Sequence, residues 1–286
     1  MFSRYKPYLQ LAPLVLVLLL FVVVPLVFVV VVSFFRSDGF DTIPAFTFEN
    51  YAAILTSSLT GALYLKMVKY ALMTWAASLF IGFFVAYFLV FHVRNQVVAI
   101  GLFLVCTVPF WTSNVIRMIS WMPVLAEQGV VNSALLKLGL IDAPLRFLLF
   151  SDFAVVVAYV HLFTIFMIVP VFNSMSRIDR NLFEAALDAG AGRIKTLLLV
   201  VLPLTKSGIV LGSIFVITLV MGDFYVVKVM SGGGSASVVS AMYDNVSTLL
   251  FPPAAASAVI LLLILTVLIG VLTRFVDVRQ ELVLRR

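Results

Sequence analysis

Between hydrophobic segments lies the stretch Glu184-Ala185-Ala186-Leu187-Asp188-Ala189-Gly190. After nine intervening residues it is followed by Val200-Val201-Leu202-Pro203. The chain has 286 residues, of which 63% are hydrophobic and 11% charged. Charged and apolar residues alternate at helical spacing around this stretch, which predicts an amphipathic helix. Asn181 is expected to cap it, with Glu184 in the capping-box position and Gly190 at its end, and a second helix is expected to run to Pro203.

The composition excludes a water-soluble protein. The mean hydropathy is +1.19, and so few polar residues cannot cover an apolar core in water. Several apolar runs reach the ~20 residues that cross ~30 Å of hydrocarbon as a helix. The sequence therefore predicts an all-α polytopic membrane protein with six transmembrane helices. They are expected at roughly Leu11–Phe35, Met67–Phe91, Val97–Ile119, Phe153–Met175, Ser207–Val229 and Ala254–Phe275.

The charges predict the orientation of these spans. Placing both termini in the cytoplasm puts twelve of the 19 basic residues on that side, although the segments outside are longer. The net charge of +6 is therefore a signal of topology, and no nucleic-acid partner is expected. The first apolar run, Leu11–Phe35, is too long for a signal peptide and has no small-residue cleavage pattern, so it is interpreted as a retained span.

The polar stretch matches a known signature in its order and spacing: Glu-Ala-Ala, three residues, Gly, nine residues, an aliphatic residue, one residue, then Leu-Pro. It resembles the permease subunits of binding-protein-dependent ABC importers, with Val200 where that family often has isoleucine. The resemblance implies a type I ABC importer permease (MetI-like) fold, one permease domain over residues 1–286 and a cytoplasmic coupling loop at about 176–206. The alternative, an interfacial helix flanked by positive charges, does not account for the ordered match.

In that family the coupling loop docks into a cleft of a separate nucleotide-binding subunit. The resemblance implies that seven residues couple to the ATPase: Glu184, Ala185, Ala186, Asp188, Gly190, Leu202 and Pro203. The segment from Gly190 to Thr196 is similar to a phosphate-binding loop, but no glycine precedes Lys195 and no strand precedes the loop. The chain is therefore predicted to be a non-catalytic subunit without a cofactor, with ATP and Mg bound by the partner chain.

Asp223 is the principal candidate for contacting a substrate, because a carboxylate within a span is costly unless it faces water or a partner. The alternative is that it pairs with Lys228 or Arg117. Tyr225 stands beside it. The Pro109-kinked segment containing Trp111, Thr112 and Asn114 suits the wall of a water-filled pathway, although the tryptophans equally fit interfacial anchors.

Other polar or small residues are given structural interpretations. Cys106 is expected to be a buried, inert thiol, and the isolated His92 and His161 predict no metal site. The glycine-rich run Ser231–Ser235 predicts a flexible turn. Small residues four apart predict close helix packing; they are Ser78, Gly82, Ala86, Gly208 and Gly212.

Across nearly the whole chain, the resemblance is strongest to the first permease subunit of spermidine/putrescine importers. It implies a heterodimer with a second permease, two ATP-binding subunits and an extracytoplasmic substrate-binding protein, in the bacterial inner membrane. Carboxylates and aromatic rings suit polyamine cations, and the outer half of the chain supplies Asp223, Phe224, Tyr225, Tyr243 and Asp244. The alternatives are an importer for ferric iron, phosphonate, opine or another amine, an ion-gradient-driven secondary transporter, or a structural membrane anchor.

Overall fold

The computed structural model describes the backbone of residues 6–39 and 41–275, and their side chains except at positions 6–9, 180, 183, 184 and 187. The chain divides into two compact units. The first comprises the chain up to Leu63 together with Val238–Ile264, and the second comprises Tyr64–Ser237 together with the chain from Leu265. Apart from a two-residue antiparallel pair, β1 (Arg36–Ser37) with β2 (Thr42–Ile43), the regular structure of the described residues is helical.

The α-helices of the described residues, in chain order, are α1 (Lys6–Leu18), α2 (Val24–Val32), α3 (Glu49–Thr56), α4 (Ser58–Tyr87), α5 (Gln96–Thr107), α6 (Asn114–Ile119), α7 (Met122–Leu125), α8 (Val130–Lys137), α9 (Asp152–Met175), α10 (Arg180–Asp188), α11 (Arg193–Thr196), α12 (Leu202–Leu204), α13 (Lys206–Met221), α14 (Tyr225–Met230), α15 (Val238–Ser247) and α16 (Phe251–Thr273).

Four continuous helical segments are long and apolar enough to cross a membrane. They are Gln10–Val32, Ser58–His92, Asp152–Met175 and Phe251–Thr273. Two bent pairs raise the number of candidate spans to six if each pair counts as one. They are Gln96–Trp111 with Asn114–Lys137, at 94°, and Arg193–Leu204 with Lys206–Met221, at 68°. The all-helical membrane fold is thus confirmed, with four to six spans.

The third predicted span bends at the kink that the sequence predicts near Pro109, whereas the fifth ends earlier than predicted. The third turns into a 3₁₀ segment at Val108–Trp111 and bends before α6, because Pro109 lacks an amide hydrogen. The fifth was expected to reach Val229 but α13 ends at Met221, and α14 starts separately. The break falls at Gly222 and Asp223, whose carboxylate oxygen accepts the Val226 N–H at 2.9 Å.

In the first unit, α3 is hydrogen-bonded to the end of α2. The Asn50 amide donates to the carbonyls of Ser33 and Phe35, at 2.9 and 2.8 Å. The hydroxyls of Tyr51 and Ser33 lie 2.6 Å apart. Because Ser33 is fully buried, these bonds satisfy a helix end that would otherwise leave its carbonyls unpaired.

The core of the second unit is the contact of α9 with α13. A Cβ atom on Gly208 would lie 2.4 Å from the Pro170 carbonyl oxygen, and one on Gly212 would lie 2.6 Å from the Met167 sulfur. From the other side, a Cβ on Gly82 of α4 would lie 2.8 Å from Met167 Cγ. These approaches confirm the predicted close packing at the small residues, because only a hydrogen atom fits there.

Candidate functional site

The predicted coupling loop contains α10, which begins one residue after Asp179. The Asp179 carboxylate accepts the Asn181 N–H at 2.9 Å, and its carbonyl accepts the Leu182 N–H at 3.0 Å. Asp179 is therefore the N-cap, and the prediction that Asn181 caps the helix is wrong, because the aspartate before it already satisfies the first free amide. The predicted capping-box contact of Glu184 lies outside the described side chains.

The C-terminus of α10 has the geometry that the sequence predicts. Gly190 has a φ of +81°, and the Ala191 N–H donates to the Ala186 carbonyl at 3.0 Å. A left-handed glycine followed by this bond is the Schellman arrangement, which closes a helix without leaving its last carbonyls free. The chain then reverses and enters α11 at Arg193.

From α11 the helix passes through a π-helical turn at Leu197–Val201 before reaching α12. The Leu202 N–H bonds the Leu197 carbonyl, five residues back. Because Pro203 has no amide hydrogen, this wider turn precedes a residue that cannot continue the ordinary pattern. Lys206 then starts α13 at an angle of 68°, so the loop and the fifth span form one bent segment.

The exposed surface of the coupling loop is partly apolar. Leu182, Ile194 and Leu199 have exposed fractions of 51%, 76% and 70%, and Ala185 and Asp188 are also exposed. A concave region of about 810 Å³ extends from Gly192 to Leu199. Exposed apolar side chains on a polar loop are typical of a surface that another protein covers.

Asp223 lies between α13 and α14 and is half-buried. Its Oδ1 atom accepts the Tyr159 hydroxyl at 3.2 Å as well as the Val226 N–H. Tyr159, in α9, is completely buried, so its hydroxyl needs a partner inside the protein. The alternative in which Asp223 pairs with Arg117 is not found in the described residues, because the guanidinium of Arg117 bonds to Asn114 instead.

Two neighbouring tyrosines connect Asp223 with a second carboxylate, that of Asp152. The Tyr70 hydroxyl donates to Asp152 Oδ1 at 2.6 Å and lies 2.7 Å from the Ser235 hydroxyl. Its ring centroid is 6.5 Å from that of Tyr159. The Lys66 ammonium lies 3.2 Å from the same Asp152 oxygen. We call the residues Tyr70, Asp152, Tyr159 and Asp223 the tyrosine–aspartate cluster.

Sequence reasoning identified only Asp223 in this cluster. Tyr70, Tyr159 and Asp152 were overlooked. A tyrosine within an apolar span carries a hydroxyl that has to find a partner, and this signal could have identified Tyr70 and Tyr159. Asp152 immediately follows the cap of α9, Ser151, whose hydroxyl accepts the Ala154 N–H at 3.2 Å. A carboxylate at the start of a helix is explained by its favourable interaction with the helix dipole. The sequence therefore gave no reason to assign Asp152 a second role.

The glycine-rich turn that follows α14 is bridged by hydrogen bonds. The Ser231 hydroxyl bonds both the amide and the carbonyl of Ser235, each at 3.2 Å. Gly232 has a φ of +61°, and a Cβ there would lie 2.7 Å from the Phe150 ring. These glycines permit a tight conformation that the Ser231 side chain bridges, and the flexibility of the turn stays a prediction.

The chain is 34% identical over 233 residues to the spermidine/putrescine transport system permease protein PotB of Escherichia coli, covering 80% of this chain and 83% of that protein. The chain belongs to the permease subunits of ABC importers. No family model matches it. The sulfoquinovosyl glycerol transport system permease protein SmoG of Agrobacterium fabrum is 28% identical over 273 residues, covering 87% of this chain and 82% of SmoG.

The fold of a solved ABC transporter agrees with this assignment. A chain of the bacterial importer of the acidic polysaccharide alginate superposes with a TM-score of 0.74, at 14% identity and with 95% of each chain covered. Membership of the family confirms a multi-pass inner-membrane protein, a non-catalytic permease subunit, without a cofactor of its own. Membership of this family excludes the two alternatives of an ion-gradient-driven secondary transporter and a structural membrane anchor.

The remaining predicted pathway residues of this permease subunit lie apart from the cluster. Trp111 is 83% exposed, the Thr112 hydroxyl donates to the Pro109 carbonyl at 2.7 Å, and Asn114 contacts Arg117. Within the described part of the chain, no hydrogen bond or ring contact joins these three residues to Asp223 or Tyr225. Tyr225 follows Asp223 closely in sequence and is 40% exposed.

The histidines have aromatic partners. His161 Nδ1 accepts the Trp121 indole N–H at 2.8 Å, and the His92 ring lies 5.9 Å from that of Phe88. Among the described residues, no group of three or more histidine, cysteine or acidic side chains could hold a metal. The phosphate-loop-like segment after Gly190 leads into a helix without a strand before it.

Proposed function

We propose that this permease subunit carries polyamines such as spermidine and putrescine, or a related small organic cation, across the membrane. The main support for this proposal is the half-buried carboxylate of Asp223, which is hydrogen-bonded to the buried Tyr159. The 34% identity to PotB supports the same substrate class.

The chemistry of the tyrosine–aspartate cluster fits such a ligand. A polyamine carries several ammonium groups separated by short carbon chains, and carboxylates and aromatic faces both attract ammonium ions. The hydrogen-bond partners of Asp223 are the Tyr159 phenol and the backbone amides of Val226 and Tyr225. These neutral groups leave the negative charge of the carboxylate available, whereas Asp152 already contacts the Lys66 ammonium.

The coupling loop is proposed to bind the ATP-hydrolysing subunit through α10 and the apolar side chains around it. Its proposed contact residues remain Glu184, Ala185, Ala186, Asp188, Gly190, Leu202 and Pro203. The well-formed cap and Schellman end of α10 support this role, because they fix a short helix that would be marginal alone. Two ATP-binding subunits would then use ATP and Mg while this chain supplies the moving membrane segment.

The complete importer is proposed to pair this chain with a second permease and an extracytoplasmic binding protein. The alginate importer has been solved in complex with a ligand-bound periplasmic protein, which supports the proposal of a binding protein. The basic residues favour cytoplasmic termini and a cytoplasmic coupling loop. The tyrosine–aspartate cluster then lies toward the extracytoplasmic side, near the place where a binding protein releases its ligand.

The test is the ATPase activity of the complex, purified with the subunits encoded beside it and reconstituted in lipid. We expect the binding protein loaded with spermidine or putrescine to stimulate ATP hydrolysis over the empty binding protein. If a complex that hydrolyses ATP ignores polyamines but responds to another ligand, such as ferric iron, a phosphonate, an opine or a sulfoquinovosyl glycerol, the substrate proposal is overturned.

A further inference from the structure

A cavity of about 570 Å³ lies in the second unit, away from the tyrosine–aspartate cluster. Its walls come from α4, α5, α9 and the segment after the bend in the third span, and most of them are apolar. The residues that line it include Cys106, Phe110, Arg117, Val160, His161 and Ile168. Phe110 is 51% exposed, so the rim of the cavity is open on this chain.

Arg117 is the charged residue in the wall of this cavity, and only 6% of its surface is exposed. One terminal nitrogen, Nη2, donates to the Asn114 side chain. The other two guanidinium nitrogens, Nε and Nη1, are buried without a hydrogen-bond partner in the described part of the chain. A buried cation with free N–H groups is strongly unfavourable unless an anion occupies the adjacent space.

The described residues that line the cavity around Arg117 supply no such anion. His161 Nδ1 accepts the Trp121 indole N–H, so this nitrogen carries no proton and the pair is a neutral aromatic wall. The described lining contains no aspartate or glutamate. We infer that an anion from outside the described part of the chain is the partner of Arg117.

The shape and position of the cavity indicate which kind of anion. The helix Gln96–Trp111 has 16 residues, roughly 24 Å at 1.5 Å each, so the bend that precedes Arg117 lies near one boundary of the ~30 Å hydrocarbon layer. From there the wall follows α9 from Val156 to Ile168, roughly 18 Å of apolar surface. That length is similar to the hydrocarbon thickness of one leaflet, about half of the ~30 Å core.

We propose that this cavity binds an anionic phospholipid, with its phosphate on Arg117 and one acyl chain along α9. A guanidinium binds a phosphate through its N–H groups, and Nε and Nη1 each offer a free N–H to phosphate oxygens. A carboxylate from a second permease would satisfy the arginine but would leave the apolar length unfilled. A transported cation is excluded from this place by the positive charge. The site does not depend on the substrate of the importer.

The first experiment measures lipids that remain bound to the complete complex after purification from membranes in detergent. We expect phosphatidylglycerol or another anionic phospholipid to be retained by the wild-type complex, and Arg117→Gln to reduce it roughly fivefold, the effect of one basic residue at a membrane surface. Arg146→Gln is the matched control, because Arg146 is a basic residue between α8 and α9 that does not line the cavity and whose side chain is 86% exposed. Equal retention in both variants overturns the proposal.

A second measurement uses the wild-type chain and so does not depend on how the variant folds. Cys106 is half-buried rather than buried as expected, and it lines the cavity. Its alkylation, followed by peptide mass spectrometry, is expected to be slower in vesicles of phosphatidylcholine with phosphatidylglycerol than in phosphatidylcholine alone. Inorganic phosphate should give no protection. Equal alkylation rates in both kinds of vesicle contradict a lipid site. In the lipid-retention experiment, an Arg117→Gln complex that loses the second permease but keeps its lipid contradicts it as well.

Discussion

At the scale of single residues, Asp223 combines a structural role with a charge, and one substitution separates them. Asparagine caps helices about as well as aspartate, so Asp223→Asn keeps an oxygen for the Val226 N–H and the Tyr159 hydroxyl but removes the charge. We expect polyamine uptake into vesicles to fall roughly tenfold, because hydrogen bonds to charged groups contribute ~1.5–3 kcal/mol. The amount of assembled complex should not change.

Asp142→Asn is the control for this prediction, since Asp142 is an exposed loop carboxylate and its loss should leave uptake unchanged. Wild-type uptake by Asp223→Asn would remove Asp223 from the pathway. The sequence was sufficient to select Asp223, because a charge in an apolar run is costly. Tyr159 is 64 residues earlier in the chain, and no local pattern indicates that the two meet.

At the scale of secondary-structure elements, the end of α10 depends on the backbone conformation of one glycine. Gly190 has a φ of +81° and Gly192 has a φ of −64°, while a Cβ atom at either position would meet nothing within 4 Å. Gly190→Ala should therefore destabilise the end of α10 by about 1 kcal/mol, whereas Gly192→Ala, at the N-cap of α11, should have little effect on α10.

Amide hydrogen exchange across α10 measures this difference directly. We expect roughly fivefold faster exchange in the Gly190→Ala complex, together with weaker stimulation of ATP hydrolysis by the loaded binding protein. Equal exchange in the two variants would show that the loop does not need the left-handed conformation. Sequence could predict this helix end, because the required residue is distinctive, but it placed the cap at Asn181 since asparagine and aspartate compete for the same role.

The contact of α9 with α13 gives a second prediction about elements. Gly208→Ala places a methyl group 2.4 Å from a backbone oxygen that cannot move away easily, and overpacking of this kind typically costs about 1–3 kcal/mol. Gly270→Ala in α16 is the control, because a Cβ there would meet nothing and alanine favours a helix. Thermal unfolding of the purified complex should show a lower midpoint for the first variant only, and equal midpoints would contradict the close approach.

At the scale of the whole molecule, the orientation of the chain is predicted from its charges. Asp142 and Ser176 are exposed and lie beyond opposite ends of α9. In a chain whose own Cys106 is replaced by serine, Asp142→Cys should react with a membrane-impermeant maleimide in intact spheroplasts. Ser176→Cys should react only after permeabilisation, because its side carries the excess of basic residues. The reversed result would place the coupling loop outside and overturn the proposed ATPase contact.

The apolar spans could be predicted from length and composition, whereas the angles of the two bends could not. Hydropathy records how many residues lie in hydrocarbon but not the direction of the chain. Pro109 and Pro203 indicated that something changes near each bend, yet the angles of 94° and 68° depend on packing against other helices. The environment of Arg117 could not be predicted either, because the cavity that it lines is formed by four separate segments of the chain.

Met167 limits the ways in which three helices can move during a transport cycle. Its side chain lies in α9 between Gly82 of α4 and Gly212 of α13, and it is completely buried. If one helix slid along another, the methionine would meet a Cβ atom or a turn of backbone, since closely packed interiors do not deform continuously. These three helices are therefore expected to travel together as one rigid body, which leaves the bends before Asn114 and at Thr205 as the places where the angle between segments can change.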